Sequence, residues 1–501
     1  MHAVSLRVSL VAGALIALVG CYTNNAGLLD LDAGVGGIDP IGPGPDGGTG
    51  DSEGDGGTGG TAGVGGVGGG AGGAGGSGGK GATGGAGGDP LTGEWQPPEI
   101  IEEHAGTGLN PHVAIGANGE AVAVWVQFNL GAYNVRANHY ASGDGWEGDT
   151  WIGSTDGNTM DLDETSQPYV VVDPDGVATA AWGDFADPVL RGVVSRRYES
   201  ASGWGGIWPV YEGTSTAGDP RLSVDDTGNV MAVFATGTGA WANYFQTTGG
   251  WGDAEIIDNE PGQPTNLGVA LYPEGDGWTT WSQTPNGLAI DIFGNRFTSG
   301  AGWGDAARVE DNTTGNAFEP DLAVSATGDA VFVWQQTAGL RYNIWASTWD
   351  AAAGELTAAE RVDISLSASS PAVAMDAQGR ATAVWIQSGP TDLQVAAARY
   401  SAEIGWGEPV VLSEGDIRGE PRVAMDAVGN AVVAYAQKAE FESLVDAWAQ
   451  MYSGGEWLDP VRLGVDEFTG PAIQPSVAMD PSGNAVVVWR EGPDIWASVF
   501  E

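Results

Sequence analysis

One stretch decides the fold of this chain: Pro475-Ser-Val-Ala-Met-Asp-Pro-Ser-Gly-Asn-Ala-Val-Val-Val-Trp489. Seven earlier copies of it begin at Pro111, Pro168, Pro220, Leu267, Pro320, Pro371 and Pro421, at spacings of 47 to 57 residues. A period of about fifty residues indicates a repeat architecture, in which each copy is too small to bury its own faces. The eight copies are therefore predicted to stack into a single body.

Each repeat has the pattern of four strands. The first ends at a turn such as Asp480-Pro-Ser-Gly483, where aspartate can accept backbone amide hydrogens and glycine can take a positive φ. The second, such as Ala485–Trp489, is apolar throughout, which predicts burial on both faces. The third alternates, as in Asp494–Phe500, and the fourth follows a Gly-Trp turn, as in 405–412. Four short strands per repeat without a long helix predict an all-β protein, a β-propeller of eight four-stranded blades.

The two ends of the repeat region predict how the ring closes. The eighth repeat stops at Glu501, directly after its third strand, and so lacks a fourth. The segment 93–101, Gly-Glu-Trp-Gln-Pro-Pro-Glu-Ile-Ile, resembles the fourth-strand segment 455–463 and precedes the first repeat. We therefore expect an N-terminal strand to complete the last blade, which leaves no exposed sheet edge.

Two columns of residues recur in the repeats. The end of the second strand is aromatic in every copy: Trp125, Trp182, Phe234, Trp281, Trp334, Trp385, Tyr435 and Trp489. A residue type present at one register in every blade is predicted to fill the space between blades. A third-strand column varies, with Trp241, Trp345, Trp448 and Trp496 against Arg136, Val194, Phe293 and Ala396. Packing is the favoured interpretation of both columns, and a sugar-stacking surface is the alternative.

The N-terminus carries an export signal. Residues 1–20 contain a short basic start and the apolar run Val8–Val19, which is typical of a secretory signal peptide. Leu18-Val19-Gly20-Cys21 resembles the lipobox of bacterial lipoproteins, and this resemblance implies that Cys21 is lipidated and becomes the mature N-terminus. Cys21 is the sole cysteine of the chain, so it has no intramolecular disulfide partner. Tyr22 stands where an aspartate often signals inner-membrane retention, which favours an outer-membrane or cell-surface location.

The segment that follows is of low complexity. Of the residues 22–90, 31 are glycine, and none is tryptophan or phenylalanine. Such a segment has too little apolar surface to offset the entropy of ordering it. We therefore expect residues 21–90 to form a lipidated, disordered, Gly-rich tether and residues 91–501 to form the propeller.

Charge limits the partners. The chain has 65 acidic and 18 basic side chains, a formal net charge of −47, which excludes nucleic acid and an anionic membrane surface as direct partners. Acidic residues concentrate in the loops that lead from one blade to the next: Glu102-Glu103, 156–164, 258–260, Glu310-Asp311, 414–416 and Asp466-Glu467. These loops predict an acidic rim, interpreted either as a solvated surface or as a site for calcium or a cationic partner. The candidate calcium ligands are Asp161, Asp163 and Glu164, whose spacing matches no defined calcium loop. No other cofactor is predicted.

Catalytic motifs are absent from the sequence. The histidines lack a metal-ligand spacing, and no serine lies in a G-x-S-x-G motif. One blade carries Arg191, Arg196 and Arg197, and an arginine cluster is a feature of sialidase-type propellers, but the Asp-box spacing of those enzymes does not occur here. We therefore nominate no catalytic residue and predict a non-enzymatic protein.

Taken together, the lipobox, the tether and the repeats resemble the tethered surface lipoproteins of myxobacteria and their relatives. This resemblance covers the whole chain and implies no settled activity. The leading hypothesis is a monomeric cell-surface binding or scaffold protein, which presents an acidic-rimmed propeller to a protein or polysaccharide ligand. The first alternative is a polysaccharide-acting enzyme, a glycosidase or lyase, with its site at the mouth of the central channel. The second is a structural component of the envelope.

Overall fold

The protein is an all-β propeller. A computed structural model describes residues 89–501 except 154–165, 185–191, 214, 286, 288, 312–314, 414, 439–444 and 465–469. In this part of the chain the strands form eight antiparallel sheets, the predicted blades, and there is no helix. Accordingly, these residues include no apolar helix long enough to cross a membrane.

Each blade, numbered here in chain order, begins with three consecutive strands. The first strands are Thr107–Ile115, Tyr169–Val172, Arg221–Val224, Thr265–Leu271, Ala317–Val324, Ala368–Met375, Arg422–Met425 and Ala472–Met479. The second strands are Ala121–Asn129, Ala178–Asp184, Val230–Thr236, Gly277–Gln283, Ala330–Ala338, Ala381–Ser388, Ala431–Lys438 and Ala485–Glu491. The third strands are Ala132–Ala141, Gly192–Glu199, Gly239–Gln246, Asp291–Thr298, Arg341–Asp350, Leu393–Ser401, Val445–Ser453 and Asp494–Phe500.

The fourth strand of blades 1 to 7 is interrupted. It consists of two short pieces that both pair with the third strand: Gly145–Trp146 and Thr150–Trp151, Gly203–Trp204 and Trp208–Tyr211, Gly250–Trp251 and Glu255–Ile256, Gly302–Trp303 and Ala307–Arg308, Glu355–Leu356 and Glu360–Arg361, Gly405–Trp406 and Val410–Val411, and Glu456–Trp457 and Val461–Arg462. The first piece is the Gly-Trp pair in blades 1 to 4 and 6, whereas blades 5 and 7 have Glu-Leu and Glu-Trp there.

The N-terminal strand closes the ring as predicted. Glu99–Ile100 pairs antiparallel with the third strand of blade 8, with Ile100 opposite Trp496. Trp95 forms an isolated bridge with Phe500, and their ring centroids lie 5.5 Å apart. Ile101, which is 1% exposed, packs between blades 8 and 1. The last blade is therefore built from both ends of the propeller sequence.

The core is divided among the eight interfaces between neighbouring blades. Eight clusters of buried apolar side chains each join one blade to the next, and one of them joins blade 8 to blade 1. Every aromatic residue of the second-strand column is at most 1% exposed and belongs to one of these clusters. The variable third-strand column lies directly opposite it in register, and its tryptophans pack against the same clusters. Packing between blades accounts for both columns.

The turns between first and second strands use the predicted chemistry. In blade 8, Asp480 is 1% exposed, and its Oδ1 accepts the backbone N–H groups of Ser482 and Asn484 at 2.8 and 2.9 Å. Gly483 closes the turn with φ of 98°, a conformation that favours glycine. Asp173, Asp225, Asp376 and Asp426 accept the equivalent pairs of N–H groups in their blades.

Candidate functional site

The repeats differ in chemistry around the central channel. The first strands are the innermost strands of the blades and contact one another in order, and the first strand of blade 8 contacts that of blade 1. They therefore enclose the axis of the ring. Each first strand is preceded by the loop that connects it to the preceding blade. One end of the channel therefore lies at the rim formed by these loops, which the sequence predicts to be acidic.

A bulge beside the repeated proline shapes the channel wall. In five blades the pairing of first and second strands shifts register there, and the residue before the proline, or before Leu267, has a left-handed backbone. These residues are Asn110, Asn266, Glu319, Ser370 and Gln474, with φ between 49° and 56°. Left-handed backbone is unfavourable for most side chains, and bulges commonly redirect a side chain next to a functional site. Here Gln474 of blade 8 donates from Nε2 to Oδ1 of Asn110 in blade 1 at 2.5 Å.

We define the channel wall as the residues on either side of the repeated proline. Those before it are Asn110, Gln167, Asp219, Asn266, Glu319, Ser370, Glu420 and Gln474. Those after it are His112, Tyr169, Arg221, Gly268, Asp321, Ala372, Arg422 and Ser476. Seven of the eight copies share the proline, and all share the apolar core, yet the wall residues vary in size, charge and hydrogen-bonding capacity.

Blades 1 to 3 contribute hydrogen-bond donors to the channel. The rings of His112 and Tyr169 stack with centroids 3.7 Å apart, and the Arg221 guanidinium carbon lies 5.4 Å from the centroid of the Tyr169 ring. Arg221 also donates to Oε1 of Gln167 at 3.0 Å and to the carbonyl of Pro220 at 3.3 Å. We call His112, Tyr169 and Arg221 the donor triplet.

The protonation states of the triplet follow from its surroundings. Burial, followed by the positive charges of Arg221 and Arg422, lowers the pKa of His112 to about 3, so its imidazole is neutral at physiological pH. Nδ1 of this ring accepts the Val170 N–H at 3.4 Å, which leaves the proton on Nε2. Burial also raises the pKa of Tyr169. Both rings therefore present neutral donors.

Besides Asp219 of blade 3, blades 5 and 7 contribute three acids to the channel, Glu319, Asp321 and Glu420. Arg422 donates to Oε2 of Glu420 at 2.7 Å, and both side chains remain partly exposed. Asp321 accepts the N–H groups of Val373 and Leu322 at 2.9 and 3.0 Å, so its carboxylate joins blade 5 to blade 6. Burial, followed by the charge of Glu420, raises the pKa of Glu319 to about 7. Each of these acids thus has an arginine, backbone donors or a proton to compensate its charge.

The acidic rim is less negative than its composition indicates. Of its carboxylates, Glu310 pairs with Arg308 and Asp416 pairs with Arg418. Outside these loops, Asp149 pairs with Arg136, Asp291 with Arg308, Asp363 with Arg361, and Asp446 with Arg462. Burial, followed by the neighbouring Asp494, raises the pKa of Glu102 to about 8. Burial and Asp291 raise that of Glu310 to about 8 as well. Burial therefore favours the neutral form of both acids.

The structure does not test most of the site residues predicted from the sequence. Cys21, the calcium candidates Asp161, Asp163 and Glu164, and Arg191 lie outside the described residues. Within the residues that are described, no group of three or more histidines, cysteines or acids is placed to hold a metal ion.

The remaining two arginines of the sialidase-like trio do not form a cluster in the channel. Arg197 pairs with Asp173 at 3.8 Å and lies over the ring of Phe245 at 4.4 Å, so it joins blade 2 to blade 3. Arg196 donates to the carbonyls of Gly205 and Ile152 at 2.8 and 3.2 Å. Both side chains therefore stabilise contacts between blades.

Comparisons with known proteins give remote similarities. No protein-family model matches the chain, and no curated protein matches it. Among solved structures, a protein of unknown function from Dyadobacter fermentans is 13% identical, covering 82% of this chain and 99% of that chain, with a TM-score of 0.41. A PL25 polysaccharide lyase, an ulvan lyase, is 11% identical, covering 80% and 95%, with a TM-score of 0.45. The β-propeller domain of the trilobed protease from Pyrococcus furiosus is 8% identical, covering 72% and 99%, with a TM-score of 0.42. At these values the similarities carry no argument about activity.

Proposed function

We propose that this protein is a surface-exposed binding or scaffold lipoprotein of the bacterial outer membrane. In this proposal the chain is exported, Cys21 carries the lipid anchor, and residues 22–90 form a flexible stalk for the propeller. The ligand, a protein or a polysaccharide, enters the central channel from the rim where the channel wall is exposed.

A single observation carries the binding proposal. All eight copies repeat the aromatic residue between blades and the glycine of the turn, and five repeat the turn aspartate, but they diverge along the channel wall. Packing alone needs no such divergence, because every blade presents the same neighbours to the axis. Polar groups of different kinds that converge in a concave site are typical of ligand binding.

One observation supports the alternative of an enzyme. His112 is neutral and has a protonated Nε2 next to the hydroxyl group of Tyr169, and both groups can donate hydrogen bonds to the charge that develops on a bound substrate. Under this alternative the same channel residues act on a polysaccharide, and the binding site and the reaction site are one.

A screen of the purified protein separates these functions. The protein is incubated with a glycan library and with envelope extracts, and bound and converted molecules are identified by mass spectrometry. Retention of a ligand without conversion supports the binding proposal, conversion of a glycan supports the enzyme, and the absence of both supports a structural component. Lipid labelling of cells that produce the protein or its Cys21→Ser variant tests the anchor, and label on the variant would contradict it.

A further inference from the structure

The guanidinium of Arg221 is the starting point, because it forms no ion pair among the described residues and acts on the carboxyl group of Asp321 only through its electrostatic field. Arg221 is half-buried on the first strand of blade 3, and its hydrogen bonds go to neutral oxygens, those of Gln167 and Pro220. Among the described residues no carboxylate lies within ion-pair distance of it, whereas Arg422 on the same wall pairs with Glu420. A partly buried arginine normally has an anionic partner. Arg196, Arg399 and Arg490 also bond only to neutral oxygens. What distinguishes Arg221 is its position on the channel wall.

Two further donors lie beside Arg221. The stacking of His112 on Tyr169 and the position of Arg221 over the Tyr169 ring place the three side chains next to one another on blades 1 to 3. No described residue forms a hydrogen bond with Nε2 of His112 or with the hydroxyl of Tyr169. The donor triplet thus combines one permanent positive charge with two unused neutral donors.

We infer that the donor triplet binds a carboxylate group of the ligand, an assignment that rests on the proposed binding function of the channel. One guanidinium balances one negative charge, and its planar N–H groups match the two oxygens of a carboxylate. A phosphate dianion would bring a second charge toward Glu319, Asp321 and Glu420 on the same wall, and the neutral His112 supplies no charge to balance it. The ligand class is therefore an organic acid, either free or as a uronate unit of an acidic polysaccharide.

Calorimetric titration of the full-length protein tests the inference with four probes. These are galacturonate, trigalacturonate, the fully methyl-esterified trigalacturonate and inorganic phosphate. We expect galacturonate or trigalacturonate to bind at least tenfold more tightly than the ester and phosphate, because only the free carboxylates fit a singly charged site. Equal affinity for both acids indicates a free acid as the source of the carboxylate, and tighter binding of the trimer indicates a polysaccharide.

Three variants and a control assign the binding to the triplet. Arg221→Gln removes the charge, Tyr169→Phe removes the hydroxyl, and His112→Asn keeps an acceptor for the Val170 N–H but removes Nε2–H. Each is expected to weaken carboxylate binding, with Arg221→Gln losing about tenfold or more. The control Arg418→Gln removes a guanidinium that is 42% exposed and already paired with Asp416, and it should leave affinity unchanged. If Arg221→Gln fails to fold, Tyr169→Phe tests the inference in its place, because it removes only one oxygen atom.

The inference is overturned if the ester binds as tightly as the acid, if the triplet variants bind like the control, or if no carboxylate probe binds. Its failure is distinguishable from that of the proposed function. A ligand recovered from the glycan or envelope screen that lacks a carboxylate would preserve the binding function and overturn only the carboxylate assignment.

Discussion

At the scale of single residues, Trp334 represents the aromatic column that holds the blades together. Its side chain is 0% exposed in the interface between blades 4 and 5, and Nε1 donates to Oε1 of Gln336 at 3.2 Å. Trp334→Ala should therefore lower the free energy of unfolding by about 3–5 kcal/mol, the usual cost of a cavity of this size. Trp208→Ala, at a position 55% exposed, is the control and should change it by about 0.5 kcal/mol or less. Urea unfolding monitored by circular dichroism makes the comparison, and equal losses would refute the packing role.

A second prediction at this scale concerns pH. Burial and the neighbouring Asp291 raise the pKa of Glu310 from 4.5 to about 8. Between these values the folded protein holds a proton that the unfolded chain releases, so this group's contribution to stability is present below pH 4.5 and is lost as pH rises to about 8. Glu310→Gln should make the melting temperature fall less steeply from pH 5 to 8.5, and Glu102, whose pKa is also about 8, accounts for part of the remaining slope. The exposed Glu360→Gln is the control, and identical slopes for the two variants would contradict the assignment.

At the scale of elements, the turn after the first strand depends on an aspartate in five of the eight blades. In blade 8, Asp480 accepts two backbone N–H groups through Oδ1 and the Asn484 amide through Oδ2. Asp480→Ala leaves buried donors without partners and should cost about 1–3 kcal/mol of stability. Asp480→Asn keeps the Oδ1 acceptor and should cost less. The control is Asp144→Ala, at an exposed turn. If Asp480→Ala lowers the free energy of unfolding no more than this control does, the turn does not need its buried acceptor.

The elements also show how far the sequence predicts this fold and this site. Turn aspartates, apolar second strands and the aromatic column repeat with one period, so the blades and their closure follow from pattern alone. The sequence patterns do not single out the donor triplet. A signal for it exists, because the residues around the repeated proline vary from repeat to repeat, as the third-strand column does. His112 is one of the histidines that lack a metal-ligand spacing, so motifs alone assign it no role. What the pattern does not contain is the bulge that directs Glu319 and Gln474 along the channel wall.

Ion pairs between residues far apart in the sequence are the second feature that the sequence does not predict. Counting acids predicts a strongly negative rim, yet Arg308 and Arg361 neutralise acids that follow them by two residues or lie on the adjacent strand. The pairs within two residues are readable from the sequence, whereas the pair of Arg308 with Asp291 needs the register of the third and fourth strands. Charge on a propeller rim therefore depends on strand pairing as much as on composition.

At the scale of the whole molecule, the ring depends on a strand from the opposite end of the chain. A protein that begins at Asp89 keeps Trp95, Ile100 and Ile101 and should melt at the temperature of the full-length protein. One that begins at His104 lacks this strand, exposes the edge of Asp494–Phe500 and loses Ile101 from the interface of blades 8 and 1. It should melt at a lower temperature and self-associate through the free edge, because an unpaired strand invites pairing with another chain. Calorimetry and sedimentation measure both effects, and a synthetic peptide of residues 91–103 should reverse them, whereas the same peptide with Trp95→Ala and Ile101→Ala should not. If the protein that begins at His104 has the same melting temperature as the full-length protein, the prediction is wrong, and the other interfaces hold the ring together without its closing strand.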